Sequence, residues 1–425
     1  MIERLQVSHL RNLEQVDMQV AQCNVIIGAN GSGKTSLLES VFLLSRGKSF
    51  RHHQPKRYIQ HHQQATTVHA RLADGSTAAI QKQTDATTIL RLNQATVYNQ
   101  SILTEQLPTL LIDPSSMDML EQGSASRRQL LDWLVFHMKP GFHSQWVAYQ
   151  RLLKQRNSLL KQANNLSSAQ LNELKAWDKG FANHAALIHH YRESVFIAWQ
   201  PYFEASIRQL LPNYAKQLSL TYNAGYDTDI ALDMQLHERL AQDLQLGYTR
   251  IGSHRADIHV HWRSNSLMAV EEAQPNIDGE NEIVQNTNSD KSIKLPVIKE
   301  QAANVLSRGE KKLLITALRL SQLPLLLNDA NHMLSLDKVF KSSTTDDVTK
   351  RFDITTQLQA TPVVLLDDIT AELDDKALDI LLATLSTLPC QVFVTSLTED
   401  VLPLITKYWS NPSVFHMKQG RLTVD

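Results

Sequence analysis

Short stretches of alternating apolar and polar residues dominate the beginning of the chain. The pattern covers residues 2–7 and 16–20, and a continuous apolar run, Cys23–Ile27, follows and stops at Gly28. Alternation with a period of two is typical of a strand that buries one face, and a short apolar run fits a strand that is buried on both faces. We therefore predict a strand in each of these places.

The same alternation continues at 66–72, 78–83 and 88–92, where turn signals such as Asp74-Gly75 separate the stretches. Strands that are joined by turns this short pair in antiparallel fashion. These residues predict an antiparallel layer beside the first sheet.

Near residue 145 the apolar spacing changes to that of helices. Trp146, Tyr149 and Leu153 follow one another at steps of three and four, and a second helical tract runs from 169 towards 211. We predict helices of roughly 20–35 residues, which is about 30–50 Å at 1.5 Å per residue. Sustained heptads are missing, so the pattern favours an all-helical lobe and not a long coiled-coil arm.

Two polar stretches, 271–300 and 335–353, contain few large apolar residues. Segments of this composition cannot bury enough surface to offset the entropy that ordering costs them. We predict that both are flexible insertions.

Alternating strand and helix signals return in the last part of the chain. They predict short buried strands at 362–367 and 391–395 and a terminal hairpin around Gln419-Gly420. The predicted fold class is α/β, with a mixed sheet, an antiparallel layer and an inserted all-helical lobe. We predict three parts along the chain: the first part of the α/β head at 1–120, the helical lobe at 121–245 and the last part of the head at 246–425.

The composition limits the class of protein. The 425 residues are 42% hydrophobic, enough for one or two large cores, and the chain has neither an apolar signal segment nor a run of about 18 apolar residues. We expect a soluble, cytoplasmic protein without a membrane partner.

Cys23 and Cys390 each lie beside apolar residues, which predicts reduced, buried thiols and excludes a cysteine metal site. The histidine pairs lack a supported ligand set, so we expect no metal other than Mg²⁺.

A net charge of −1 gives the whole protein no attraction to nucleic acid, so any such site must be a local patch. One basic stretch without acids is present, and its cations are Arg46, Lys48, Arg51, Lys56 and Arg57. The stretch fits a DNA-contacting surface, and it fits a solvated basic loop equally well.

A complete phosphate loop follows the apolar strand and precedes an apparent helix at 36–44. Its residues are Gly28, Ala29, Asn30, Gly31, Ser32, Gly33, Lys34 and Thr35. Glycines let the backbone N–H groups turn towards a phosphate, Lys34 can bridge the β- and γ-phosphates of ATP, and Thr35 can offer a hydroxyl to Mg²⁺. The alternative is a glycine turn with an incidental lysine.

Two adjacent acids end the apolar run at 363–366. At the end of a strand Asp367 can hold Mg²⁺, and Asp368 can polarise the water that attacks the γ-phosphate. The structural alternative is that both acids cap a strand-to-loop junction.

The sequence Leu-Ser-Arg-Gly-Glu at 306–310, just before an amphipathic stretch, is similar to the signature sequence of ABC ATPases. Ser307 and Glu310 also form an S-x-x-E capping box, which many ordinary helices have. In the ABC class this helix start, here with Ser307, Arg308 and Gly309, faces the γ-phosphate held by the other subunit. The sequence at 371–374, which ends at Asp374, resembles the loop that crosses the dimer seam in that class.

Four further motifs resemble the RecF family in order and spacing. They are Leu-Arg-Asn at 10–12, Gly-Lys-Ser-Phe-Arg at 47–51, Leu-Asp-Trp at 131–133 with Phe-His at 136–137, and Ile-Gly-Ser-His-Arg-Ala-Asp at 251–257. The resemblance extends over most of the chain outside the two polar stretches. It implies an ABC-type P-loop ATPase head.

The resemblance also implies a function in DNA repair, DNA replication, recombination and the SOS response. Members of the family are slow, DNA-stimulated ATPases that dimerise with ATP, bind double-stranded and gapped DNA at single-strand/double-strand junctions, and act with RecO and RecR to load RecA. Carried over to this chain, Lys34, Thr35 and Asp367 would bind Mg-ATP and Asp368 would support hydrolysis. Ser307 and Arg308, with Gly309 in the same signature segment, would complete the partner's site, and Asp374 would lie at the dimer seam. Arg11 and Asn12 match a position that contacts the nucleotide in related heads.

The chain departs from the ABC transporter pattern in two positions. Asp368 stands where transporters have the longer Glu, which predicts slow turnover, and Thr395-Ser396 stand where they have a His. The stretch at 271–300 is not part of the RecF pattern.

Two other functions remain open. An ABC transporter subunit would dock on a membrane partner, and membrane fractionation would identify it. An SMC-like structural tether would show long arms in shadowed images.

Overall fold

The computed structural model describes residues 1–113, 118–121, 123–162, 166–263, 299–327 and 360–424. Within them the chain forms three sheets with helices around them. The strands are β1 Ile2–Leu10, β2 Leu13–Gln19, β3 Cys23–Ile27, β4 Ala65–Leu72, β5 Thr77–Gln83, β6 Thr88–Leu92, β7 Ala95–Val97, β8 Thr109–Ile112, β9 Leu218–Asn223, β10 Asp257–Arg263, β11 Lys299–Gln301, β12 Val363–Leu366, β13 Gln391–Ser396, β14 Ser413–Lys418 and β15 Arg421–Val424. The α-helices are α1 Lys34–Arg46, α2 Gln100–Gln106, α3 Asp118–Glu121, α4 Ser124–Met138, α5 Phe142–Gln162, α6 Ser168–Leu210, α7 Leu232–Glu238, α8 Leu240–Leu246, α9 Ala302–Val305, α10 Arg308–Leu320, α11 Gln322–Leu326, α12 Ile369–Glu372, α13 Asp375–Thr387 and α14 Leu402–Thr406.

A mixed six-stranded sheet forms the centre, in the order β15-β14-β3-β13-β12-β8. The strands from β14 to β8 run parallel, and β15 pairs antiparallel with β14 through the predicted terminal hairpin. Because β3, β12 and β13 are parallel neighbours, their carboxyl ends meet at one edge of the sheet. The phosphate loop and the paired acids are therefore brought together from distant parts of the sequence.

The predicted antiparallel layer is confirmed as a second six-stranded sheet, in the order β2-β1-β4-β5-β6-β7. Every pair in it is antiparallel, and the three predicted stretches form β4, β5 and β6 within one residue of their predicted limits.

Two hydrophobic cores lie on the two faces of the mixed sheet. The alternation of side chains sends Val364 and Val394 into one core with the helical lobe, and Leu365 and Phe393 into the other with α1 and the antiparallel sheet. The mixed sheet is thus buried on both faces, which explains why its strands are continuous apolar runs.

The lobe contains the long helices that the spacing predicts, but it is not all-helical. Helix α6 has 43 residues, more than the predicted length, and spans about 64 Å at 1.5 Å per residue. Strand β9 lies inside the predicted lobe and pairs antiparallel with β10 in a three-stranded sheet. Its apolar residues, Leu218, Leu220 and Tyr222, alternate with polar ones, so the sequence carried a strand signal there.

The predicted insertion at 335–353 lies outside the described residues, and so does 271–298 of the other one. Residues 299 and 300 form the start of β11. None of the helices in the described part of the chain is both long and apolar enough to cross a membrane.

A buried arginine ties the helices of the lobe together. Arg156 on α5 donates from Nε to Asp178 on α6 (2.9 Å) and from Nη1 to Asp243 on α8 (2.7 Å) and Thr249 (2.7 Å). All four side chains are buried. Burial raises the pKa of Asp178 although Arg156 opposes the shift, so the network depends on the guanidinium staying in place.

We expect Arg156→Met to destabilise the protein by about 3–5 kcal/mol, because two buried carboxylates lose their counter-charge. Thermal unfolding measures the effect. Arg151→Met on the same helix, where the side chain is exposed, should change stability by less than about 0.5 kcal/mol. Equal melting temperatures for the two variants would contradict this account of the lobe.

Candidate functional site

A cleft of about 310 Å³ lies at the edge of the mixed sheet where β3, β12 and β13 end. The residues that line it are Arg11, Asn12, Asn30, Gly31, Ser32, Gly33, Lys34, Thr35, Ser36, Arg51 and Asp368. Most of the phosphate loop and one of the paired acids therefore share one concave surface with Arg11 and Asn12.

The phosphate loop adopts backbone angles that glycine permits. Gly31 and Gly33 have φ values of 76° and 118°, a region that other residues rarely adopt. At Gly28 the reason is space, because a Cβ there would lie 2.4 Å from the carbonyl oxygen of Met417 on β14. These glycines are needed for the shape of the loop.

Lys34 is buried and directed along its own loop. Its Nζ donates to the carbonyl oxygens of Gly28 (2.7 Å) and Ala29 (3.3 Å) and lies 3.9 Å from Oδ1 of Asp368. The ammonium is therefore held where the loop backbone and the second acid meet.

A chain of hydroxyls connects the phosphate loop to both acids. Thr35 Oγ1 and Thr395 Oγ1 donate to the same oxygen of Asp367, at 3.0 and 2.9 Å. Thr395 Oγ1 also accepts from the backbone N–H of Asp368 at 2.8 Å. One threonine on β13 thus positions both acids, a function that the sequence did not reveal.

The pKa of Asp367 is raised to about 6. Burial is the largest cause and the charges of Asp368 and Asp113 act in the same direction, while the hydrogen bonds from the two hydroxyls oppose the shift. The carboxylate is held in a position where its own charge is unfavourable. A buried carboxyl group with a perturbed pKa beside a cleft is typical of a functional site.

Several groups around the cleft can form hydrogen bonds that they do not form in this structure. Among the described residues, Ser32 Oγ and Asp368 Oδ1 are buried atoms without a hydrogen-bond partner. Asp368 also has a left-handed backbone conformation, φ 46°, and so does Arg11 at φ 52°. Strain and unpaired polar atoms of this kind concentrate at binding sites. Oxygen ligands and a phosphate loop of this shape fit a Mg-nucleotide.

The motif at 10–12 supports the loop from the other side. Arg11 forms an ion pair with Glu39, a buried residue of α1. Asn12 Nδ2 donates to the carbonyl oxygen of Gly31 (3.0 Å), and Asn12 Oδ1 accepts from Ser36 (3.1 Å). Arg11 and Asn12 therefore line the cleft and also stabilise the phosphate loop and α1.

The terminal hairpin also contacts the phosphate loop, which the sequence did not indicate. The N–H of Gly420 donates to the carbonyl oxygen of Ser32 at 2.7 Å. A Cβ at Gly420 would lie 1.9 Å from the carbonyl oxygen of Asn12.

The signature-like segment is exposed at the start of α10. Ser307 is the N-cap, and the capping box with Glu310 is formed in both directions. Arg308 and Gly309 are exposed as well, and none of these residues is among those that line the cleft. Asp374 is exposed and caps α13 by accepting from the N–H of Ala377. One chain therefore displays the signature residues and the cleft as separate surfaces.

The basic stretch is divided among three places. Arg46 and Lys48 line a different cavity, Arg51 lines the cleft, and Lys56 and Arg57 are exposed on a short turn. The five cations do not form one continuous patch.

Comparisons with known proteins agree with the motifs. A family model described as the RecF/RecN/SMC N-terminal domain matches residues 1–421. The DNA replication and repair protein RecF of Acinetobacter baumannii is 36% identical over 397 residues, which is 93% of this chain and 91% of that protein. RecF of Pseudomonas entomophila is 31% identical, and the match covers 99% of this chain and 98% of that protein.

Solved structures show the same fold. A structure of the recombination mediator protein RecF with ATP in the RecFOR pathway superimposes with a TM-score of 0.73 at 19% identity, covering 100% of this chain and 97% of that chain. An Smc head domain from Pyrococcus furiosus gives a TM-score of 0.50 at 12% identity, covering 100% and 95%. The predicted ABC-type head is confirmed.

We expect Asp367→Asn to stabilise the ligand-free protein at pH 7.5. A folded-state pKa of about 6 against the ordinary 3.8 means that the stability contribution of this group is lost as the pH rises through about 6. Removing the charge should restore on the order of 2–3 kcal/mol above pH 7 and little at pH 4. Melting temperatures across this pH range measure the difference.

Asp229→Asn, at an exposed position, is the control and should show no such pH-dependent gain. A loss of stability in Asp367→Asn at pH 7.5 would show that the carboxylate stabilises the fold, contrary to this account.

Proposed function

The chain belongs to the RecF family of DNA replication and repair proteins, and on that premise we propose that it is an ATP-dependent DNA-binding protein whose two copies close around shared nucleotide sites. The observation that carries the proposal is the separation of the cleft from Ser307, Arg308 and Gly309 within one chain. A second copy, related by twofold symmetry, would bring each exposed signature segment to the other copy's cleft.

In the proposed site, the loop from Gly28 to Thr35 holds the phosphates of ATP. Lys34 would leave its carbonyl partners for the β- and γ-phosphates, and Ser32 Oγ would gain a partner. Thr35 and Asp367 would hold Mg²⁺, which neutralises phosphate charge when it is bound. The raised pKa of Asp367 supports this assignment, because a cation would offset the cost of its charge.

Hydrolysis is assigned to Asp368 as the group that orients the attacking water. Its Oδ1 accepts no hydrogen bond from the described residues and is available to the water, and Thr395 Oγ1 accepts from its backbone N–H. An aspartate reaches less far than a glutamate would, so we propose slow turnover, stimulated by DNA, in which ATP controls the duration of a closed state. Asp374 would lie at the seam between the copies.

The DNA proposal concerns double-stranded and gapped DNA and its single-strand/double-strand junctions. The exposed cations Lys56 and Arg57 support a phosphate-contacting surface on their turn. The solved RecF structure is assigned to the RecFOR pathway. By membership of the family we propose that RecO and RecR are partners, that RecA loading is the outcome, and that the protein acts in the cytoplasm.

We expect purified protein to sediment as a dimer with Mg-ATP and as a monomer without it, and to retain gapped duplex DNA in the dimeric state. Ser307→Arg should abolish both properties, because it removes the hydroxyl and places a bulky side chain where the partner's γ-phosphate would lie. Lys34→Met should weaken ATP binding by about tenfold or more, through the loss of charge-assisted hydrogen bonds.

Ser167→Arg is a matched control, since Ser167 is also an N-cap with a complete capping box, at the start of α6. Each substitution removes one cap, which costs about 1 kcal/mol. If Ser307→Arg behaves like Ser167→Arg and still dimerises with ATP, Ser307 is merely a helix cap and the shared site is wrong.

A further inference from the structure

A second cavity, of about 430 Å³, lies beside β8, the outermost strand of the mixed sheet. The end of α1, strand β8, α4 and α10 enclose it. We call it the lobe cavity and define it by Arg46, Lys48, Asp113, Trp133 and Arg319, which are among the residues that line it. Its size is that of a small-molecule site.

The charges around the lobe cavity are unbalanced. Arg46, Lys48 and Arg319 contribute three cations against the carboxylate of Asp113. Among the described residues, none of the three cations has a side-chain hydrogen bond or an ion pair within 4.0 Å. Burial lowers the pKa of Arg319 to about 10, and burial also lowers the pKa of Arg46. Arg46 and Arg319 are partly buried side chains, and Lys48 is exposed. Like charges gathered around one cavity without enough counter-charge repel one another, which favours an anion between them.

Two buried donors around this space are also unused. In the described part of the chain, Arg319 Nε and Trp133 Nε1 have no hydrogen-bond partner, and Trp133 is 4% exposed. Most buried donors in native structures are paired, so each exception needs an explanation. Excess positive charge together with unused N–H donors calls for an anion with several acceptor oxygens.

We propose that the lobe cavity binds a phosphate group, with Arg46, Lys48 and Arg319 as its cationic ligands and the Trp133 indole as a further donor. A phosphate has enough acceptor oxygens for this set, and arginine donors match its geometry. Arg46 ends α1 and Lys34 begins it, a separation of about 18 Å along the helix, so the site is not the nucleotide cleft.

The phosphate can come from a free ion or nucleotide, or from the backbone of bound nucleic acid. Lys48 and His53 line the cavity and are exposed, so the cavity is in contact with solvent. The inference stands on the cavity itself and does not require the proposed function to hold.

The test uses inorganic phosphate as the probe in the Lys34→Met protein, where the phosphate loop is impaired. We expect saturable stabilisation of thermal unfolding by phosphate. Arg46→Met or Arg319→Met, added to that protein, should weaken phosphate binding by about tenfold or more, the usual effect of losing a charge-assisted hydrogen bond. Arg91→Met, at an exposed position on β6, should leave binding unchanged.

A second readout separates a binding site from a structural one. In phosphate-free buffer, Arg46→Met and Arg319→Met should melt no lower than their parent, because each removes a partly buried cation that is repelled by the other two. A structural arginine would lower the melting temperature on removal. Loss of stability in phosphate-free buffer together with an unchanged phosphate response would overturn the proposal, and so would the absence of saturable binding in Lys34→Met protein.

Retention of duplex and single-stranded oligonucleotides identifies the source of the phosphate. If the same two variants, in an otherwise wild-type chain, also bind DNA less tightly, with a weaker dependence on salt, the ligand is a backbone phosphate. If DNA retention is unchanged while phosphate binding is lost, the ligand is a free phosphate or nucleotide. Either result supports the site, and a failure of ATP-dependent dimerisation would concern the proposed function alone.

Discussion

The buried carboxylate of Asp367 is the constraint on which the site depends. It directly follows β12, and the two hydroxyls that bind it come from the start of α1 and from β13. Each hydroxyl lowers the cost of a charge that burial makes unfavourable. Asp367 therefore joins the three segments through hydrogen bonds, although its buried charge destabilises the ligand-free protein. Binding sites commonly lower the stability of a protein in this way.

The surrounding structure compensates by fixing the phosphate loop from several sides. The backbone of β14 leaves no space for a side chain at Gly28, and the hairpin after it binds the loop through Gly420. Arg11 and Glu39 join the end of β1 to α1. These contacts come from strands near the beginning and the end of the chain, so the shape of the loop depends on both six-stranded sheets.

Local patterns were sufficient for the fold class, since period-two alternation identifies β4 to β6 and the glycine pattern identifies the phosphate loop. Local patterns were insufficient where a strong helical pattern stands next to a short strand. The helical signal of α6 predicts a helical lobe that includes Leu218–Asn223, whereas this segment alternates as a strand does and forms β9.

Contacts between distant segments could not be predicted from the sequence. No local pattern distinguishes Thr395 from other residues of a buried strand, and its function follows only from the pairing of β12 with β13, which places both acids beside it. In the same way, Gly420 is a turn glycine whose contact with the phosphate loop depends on where the hairpin packs. The basic stretch is continuous in sequence, but α1 ends within it and its side chains diverge into two cavities and the surface.

The measurement that tests the shared site most directly is thiol cross-linking between two differently tagged copies, one with Ser307→Cys and the other with Asn30→Cys. Cys23 and Cys390 are buried and should not react. A site shared by two copies should give a cross-link between them that requires Mg-ATP. Tyr98→Cys, an exposed position directly after β7, should give none when it replaces Ser307→Cys. Efficient cross-linking that is independent of ATP, or none with ATP bound, would contradict a site built from two chains.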